Sequence, residues 1–333
     1  MKTLVTADLH LSDNPRDNYR HAWMEALPDL LVKHGCNRLL ILGDLTEEKD
    51  RHGAWLVNKI VDHISNIARV CPVYIIRGNH DYVAEEHPYY EFVSKLKNVF
   101  WYNLPLCREL RGLGTVLFLP HTRHYERDWQ DLDFDDYDWI FAHQTFDGAD
   151  VGHGKTLEGI PRSIFTRARA RGVIAGDIHV PQTILPVVYV GAPYTVDFGD
   201  DYKARILLLD GDKMESVPCV GSQKRLVEIR TLADLKKAEK QLGQSDVLKV
   251  RVLLDPSEAD KWPELQAAVR AWSEDKGYLL HNMQMATDGA ANKPTARSIS
   301  APRSDTQLVE GYVKLKGAGK PTLKAGLRLM EKA

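Results

Sequence analysis

Lys2-Thr3-Leu4-Val5-Thr6-Ala7-Asp8-Leu9-His10 decides how this chain is read: a short strand-forming run that ends in an Asp-x-His pair. The same construction recurs four times. Arg38–Leu42 runs into Gly43-Asp44, Pro72–Ile76 into Gly78-Asn79-His80-Asp81, Asp138–Phe141 into Ala142-His143, and Gly172–Ala175 into Gly176-Asp177-Ile178-His179. Short aliphatic runs without polar alternation read as strands buried on both faces of a parallel sheet. All five polar signatures then fall at the C-terminal ends of strands, where open α/β sheets carry their chemistry.

Helical patterns separate the first strands. Tyr19–Lys33 places Ala22, Trp23, Ala26, Leu27, Leu30 and Leu31 at helical spacing, and Gly35 is positioned to end it. Ala54–Ile67 repeats the pattern with Leu56, Val57, Ile60, Val61 and Ile64. This is βαβ organisation. From about Leu113 the strands crowd together: Thr115–Leu119, Ile184–Val190, and a hairpin of Ala204–Leu209 and Lys213–Val217 turned by Asp210-Gly211-Asp212. A second, more antiparallel sheet is expected there.

After Gly221 the texture changes. Strand patterns at Arg225–Arg230, Val247–Leu254 and Tyr278–Met283 alternate with helical ones at Leu232–Leu242 and Ala259–Glu274, a small α+β module. From about Ala286 to Arg303 scarcely a hydrophobe occurs, which reads as a linker. Two short amphipathic patterns follow, Asp305–Lys316 and Thr322–Lys332. Alone they bury too little area to be stable and need a partner. The expected divisions are 1–221, 222–285, 286–303 and 304–333.

Composition narrows the class. At 333 residues the chain exceeds one ordinary core, and 44% hydrophobic with 27% charged residues fits a globular protein and excludes wholesale disorder. The formal net charge of −2 is uneven: residues 286–333 hold nine Lys and Arg against four Asp and Glu, so that stretch is +5 and the remainder −7. An acidic body can still take phosphodiesters if divalent ions offset its carboxylates. Cys36, Cys71, Cys107 and Cys219 show no paired spacing, which suits a reducing compartment, and no apolar stretch approaches membrane length. A cytoplasmic protein is expected.

Phosphodiester hydrolysis needs a strong nucleophile at neutral pH and neutralisation of the charge that builds on phosphorus. Two divalent ions supply both, one by acidifying a water and both by clamping oxygens. Oxygen and imidazole donors suit ions such as manganese, with magnesium the alternative. Each signature taken singly is commonplace; five in order, each behind a strand, are not.

At these points the chain resembles the calcineurin-like metallophosphoesterases, whose signatures are D-x-H, G-D, G-N-H, a lone His and G-H-x-H. The resemblance implies an α/β fold, a β-sandwich flanked by helices (αββα), and two ion sites. One would take Asp8, His10, Asp44 and His179, the other Asp44, Asn79, His143 and, by position, Asp177. Asp177 departs from the family, which usually has His there. As a ligand it adds charge and favours harder ions; alternatively it does not reach the ion and that site is weak. His80 matches the family histidine that contacts phosphate and protonates the leaving oxygen, and is the candidate catalytic residue. Asp81 reads as an orienting partner or a turn residue; Glu47 and Glu48 either point toward the site or cap the following helix, the cap being the preferred reading. The remaining histidines default to structural or surface roles, His121 and His124 with the rim of the site as the alternative.

Gly176-Asp177-Ile178-His179-Val180-Pro181-Gln182 and Val188-Tyr189-Val190-Gly191-Ala192-Pro193-Tyr194 look like the GHIHxPQ and YxGSP segments of the SbcD exonuclease family. That family includes the archaeal and eukaryotic meiotic-recombination nucleases and phage recombination endonuclease subunits. The likeness rests on motifs up to Val217 and on architecture beyond it. The resemblance implies a manganese-dependent exonuclease and endonuclease acting on DNA. It also implies a DNA-capping role for the module, and terminal helices that dock a coiled-coil, SMC-like ATPase of the SbcC type, the whole working as a homodimer. Two other readings stay open: a stand-alone phosphodiesterase on nucleotides or small phosphoesters, and a nuclease-dead scaffold that binds DNA ends.

Overall fold

A computed structural model describes residues 1–287 apart from 153, 167, 220 and 244. Two six-stranded sheets face each other. The first runs in the order Lys213–Pro218, Arg205–Asp210, Lys2–Thr6, Cys36–Leu42, Val73–Ile76 and Val99–Tyr102, with the last four parallel. The second runs Gln182–Ile184, Val187–Tyr189, Gly172–Gly176, Trp139–His143, Gly114–Leu119 and Leu106–Leu110. Its four central strands are parallel and each outer one pairs antiparallel.

The apolar runs are continuous because both faces of these strands are covered. Along Cys36–Leu42, Leu39 and Ile41 turn toward the helices, while Leu40 and Leu42 turn toward the opposite sheet and meet Phe118, Phe141 and Ile174. Side chains alternate across a strand with period two, so one run feeds two cores. Each such fully buried aliphatic side chain contributes about 1.5–3 kcal/mol. Asn18–His34 and Ala54–Val70, 17 residues each, cover the outer face of the first sheet through Leu27, Leu31, Ile60 and Ile64. Gly35 closes the first helix in the left-handed conformation (φ 65°) and donates back to the Leu31 and Val32 carbonyls. The outer face of the second sheet packs on Trp129, Phe146 and Phe165 from loops and short helical turns.

Three expectations change. The 205–218 hairpin joins the first sheet, antiparallel to Lys2–Thr6, and so the second sheet is parallel at its centre. Ile184–Val190 is two short strands, because Pro186 brings no N–H to a ladder and the chain reverses there. Val99–Tyr102 and Leu106–Leu110 are strands beyond those read from sequence, each closing one edge of a sheet.

Beyond the sandwich, Lys224–Ile229, Val247–Leu254 and Leu279–Thr287 form a parallel three-stranded sheet. Leu232–Ala238 and Trp262–Lys276 are the crossovers, and Leu235, Val250, Val252 and Val269 lie in their shared core. Thr231 and Asp234 cap the first helix reciprocally. The last strand runs to Thr287, past the expected start of the linker. The rest of that linker and both terminal helical patterns lie outside the described residues.

Candidate metal centre

The strand ends bring the seven candidate ligands together. His10 Nε2 lies 2.9 Å from His179 Nε2 and 3.5 Å from Asp44 Oδ2. On the other side His143 Nε2 lies 3.4 Å from Asp44 Oδ1, 3.2 Å from Asn79 Oδ1 and 3.7 Å from Asp177 Oδ1. Asp44 therefore offers one oxygen to each group, the arrangement a bridging carboxylate requires. Asp8 accepts the Asp177 N–H through Oδ1 at 2.9 Å, while its Oδ2 is buried with no hydrogen-bond partner.

The donor set fits divalent cations. Ligands about 2.0–2.2 Å from an ion stand ~3 Å from one another, near the spacings found here. Nitrogen and carboxylate lone pairs pressed together in a buried site, with Asp8 Oδ2 orphaned among them, repel unless a cation lies between. Tautomers agree. The Leu42 carbonyl can only accept, so His143 Nδ1 carries a hydrogen (2.6 Å), and in the neutral ring that an ion requires Nε2 is the lone-pair nitrogen.

The backbone bends to make this possible. Asp8, His10, Asp44 and Asp177 all adopt positive φ (56°, 44°, 54° and 88°), a conformation L-residues avoid and functional sites retain. Two glycines give the donors room. A Cβ on Gly43 would stand 2.2 Å from His143 Nδ1, and one on Gly78 would stand 2.2 Å from Asp44 Oδ1. The loops are clipped by Asp81, fully buried, whose carboxylate accepts the N–H groups of Gly78, Asp44 and Leu45 at 2.6, 3.0 and 2.9 Å. Asp81 thus positions the two ligand loops; among the described hydrogen bonds it makes none to the His80 ring.

Burial shapes the electrostatics. It pushes the Asp8 carboxyl well above the usual range and the Asp44 carboxyl up, and raises Asp81, with Asp44 beside it, to about 6. Burial drives His10 well down, helped by the His179 and His80 rings, and lowers His179. At His143 burial acts downward too, but Asp44, Asp177 and Asp8 together overcome it and raise the ring to about 9.

His80 stands at the edge of the cluster. Its N–H donates to Asp44 Oδ1 at 2.8 Å and its Nδ1 to the Glu47 carbonyl at 2.6 Å, which leaves Nε2 as the ring's working nitrogen. Its ring meets that of His10 edge-on at 4.8 Å.

Thr145 and Arg20 add to the residues named from sequence, and Glu47, Glu48 and His121 resolve alternatives left open there. Glu47 is not a helix cap, since the next helix starts at Ala54 behind Gly53; instead its Oε2 lies 3.7 Å from His10 Nδ1. Glu48 contributes a carbonyl to the Thr46 hydroxyl. Thr145 donates to Asp177 Oδ2, holding its carboxylate beside His143. Arg20, 2% exposed, donates to the His10 carbonyl and to Glu47 Oε2. A lone Arg near a helix start carries no signal in sequence. His121 binds the Tyr82 hydroxyl at 2.8 Å, with its ring 6.1 Å from that of His143. The SbcD-like segments brace the same loops: Tyr194 donates to the Leu9 carbonyl, and Gln182 pairs reciprocally with the Asp150 backbone.

A family model described as calcineurin-like phosphoesterase matches residues 1–181. A protein of Invertebrate iridescent virus 6 that carries the name phosphoesterase 244L is 28% identical over 229 residues, 62% of this chain and 75% of that one. A UDP-2,3-diacylglucosamine hydrolase of Shewanella pealeana is 40% identical over 88 residues, 26% of this chain and 36% of that one. Two solved structures share 16% identity: the E. coli phosphoesterase YfcE, covering 68% of this chain and 100% of that one (TM-score 0.35), and the Pseudomonas putida nuclease MPE, covering 65% and 87% (TM-score 0.34). Among the described residues no helix is long and apolar enough to cross a membrane.

Proposed function

This chain belongs to the calcineurin-like phosphoesterase family, which makes it a hydrolase of phosphoester bonds, and from that premise we propose that its substrate is DNA and that it is an SbcD-like nuclease subunit. The observation that carries the reading is the double role of Tyr194, the last residue of the SbcD-like stretch, and Thr195 directly after it. Tyr194 ties to Leu9 inside the ligand loop, while Thr195 bonds Gln223 and Lys224 at the start of the appended module. A second body is thus seated beside the centre, where the continuation of a polymer can be held.

Two divalent ions, manganese in this proposal, would sit between Asp8, His10, Asp44 and His179 and between Asp44, Asn79, His143 and Asp177, supplying an acidified water and charge neutralisation. Asp44 sets the spacing of the two groups. His80, its tautomer held by the Glu47 carbonyl, donates from Nε2 as imidazolium to the leaving oxygen as the P–O bond breaks. Arg20 and Glu47 keep His10 in register.

The test is hydrolysis of single-stranded and duplex DNA with manganese, set against bis-p-nitrophenyl phosphate. DNA cleavage exceeding diester turnover supports the nuclease. Activity on the small diester alone favours the stand-alone phosphodiesterase, and no catalysis favours the scaffold. The proposed partner is an SMC-like ATPase held by residues 304–333. Truncation after Arg303 is expected to keep cleavage of single-stranded DNA and lose co-purification with such an ATPase; a truncated chain that still binds it overturns the docking role.

A further inference from the structure

A line of buried charges joins the module to the metal centre. Lys224 opens the module's first strand, is 8% exposed, and places its ammonium 2.9 Å from Asp17 Oδ1. Asp17 is buried, accepts the Ser12 hydroxyl at 2.8 Å and faces Arg20 at 3.6 Å. Arg20 in turn donates to the His10 carbonyl, to Glu47 Oε2 at 3.0 Å and to the Val196 carbonyl at 3.3 Å. Two cations and two carboxylates thus alternate from the module to the flank of His10. Lys224 and Arg20 hold the Asp17 carboxyl below its ordinary range against the opposing effect of burial.

The consequence follows from competition for Arg20. While Lys224 neutralises Asp17, the guanidinium is free to lie on the His10 carbonyl and Glu47. Take the ammonium away and Asp17, still buried, draws Arg20 toward itself, because an uncompensated buried carboxylate is costly. His10 then loses the group that fixes its backbone, and Glu47 loses the group that aims it at His10 Nδ1. Orienting partners of metal-binding histidines govern affinity in this way.

We propose that Lys224, Asp17 and Arg20 form a positioning relay by which the seating of the 224–287 module sets the ion affinity of the His10 half of the centre, an inference that rests on reading the cluster as a metal site. None of the three touches an ion or substrate. They act through His10.

The experiment uses the full 333-residue chain and manganese alone. In Lys224→Met, with folding checked by near-UV circular dichroism, calorimetry is expected to show one of two sites weakened about tenfold and the other unchanged. Lys224→Arg keeps the ion pair and is expected to restore the affinity. Arg20→Lys, which cannot make the fork of contacts, is expected to match Lys224→Met. In metal-free protein the His10 and Leu11 amides, bonded to the Asp44 and Leu45 carbonyls, should exchange severalfold faster in Lys224→Met and at the wild-type rate in Lys224→Arg. Unchanged affinities, or two sites weakened alike, overturn the relay, as does unchanged exchange at those amides. Wild-type protein that binds no manganese overturns the site reading, and the claim on affinity with it, whatever the exchange shows.

Discussion

His21 and His63, packed between the two long helices, are each 4% exposed, about as buried as His10 and His143 at the strand ends, at 2% and 0%. Their surroundings differ completely. His21 Nε2–H donates to the Ser12 carbonyl at 2.8 Å, and its Nδ1 meets His63 Nε2 at 3.2 Å, so donor follows acceptor along the chain of contacts. At the strand ends, carboxylate oxygens and imidazole nitrogens converge with too few hydrogens among them, and Asp8 Oδ2 has no partner. Among the described residues, every grouping of His, Cys, Asp and Glu tight enough to hold an ion falls there. Burial of histidine therefore does not mark a site. Convergence of acceptors does.

The largest test of this contrast is Asp44→Ala. A carboxylate that serves both groups holds both ions, so calorimetry should find neither manganese site and hydrolysis should vanish, with the far-UV spectrum unchanged. Two tight sites surviving in this variant would break the bridging assignment.

His80→Ala probes the edge of the cluster, where a histidine is held by a carbonyl on one side only. Both ions should remain while the rate falls roughly 10²- to 10⁴-fold, the span of a lost general acid. A p-nitrophenyl leaving group should recover part of the loss. Equal losses on good and poor leaving groups would remove the acid role.

Asp177 adds a third carboxylate beside His143, on one side of the centre only. Asp177→Ala should weaken one site about tenfold and spare the other, and Asp177→His should shift preference toward softer ions while retaining activity. If alanine there left stoichiometry and rate alike, the contact with His143 would be incidental.

The smallest effect on hydrolysis belongs to the helix pair. Burial, with the His21 ring alongside, pushes His63 down to about 4, so the fold favours its neutral form while the unfolded chain protonates at the ordinary value. Its contribution is complete above about pH 6.5 and is lost as pH falls from there toward 4. Between pH 7 and pH 5 this group alone should cost metal-free protein about 2 kcal/mol, a shift of roughly 4 °C, read as the difference between the thermal melts of wild type and His63→Gln. His63→Gln should flatten part of that slope. Tight manganese binding by this pair would break the contrast outright.

Much of the centre was legible because its signals are local. Apolar runs such as Lys2–Thr6 and Cys36–Leu42 announce buried strands, and polar residues directly behind them must emerge at strand ends, whatever the rest of the chain does. His10, Asp44, Asn79, His143 and His179 were placed in that way, and so was the helix stop at Gly35. The 205–218 hairpin was legible as a hairpin but not as a neighbour of Lys2–Thr6. Its own turn fixes its register, whereas its choice of sheet depends on an edge supplied some 200 residues earlier.

Which residue types stand behind which strands is written in local pattern, since hydrophobic periodicity and turn chemistry act over a few neighbours. Which acceptors are left without donors, and which side chains brace them, depends on how distant segments pack. His10 meets His179 across 169 positions, Arg20 reaches Glu47 and Val196, and Lys224 reaches Asp17. Those contacts come from the closing of two sheets and the seating of the module. No period or motif along the chain encodes a distance through space.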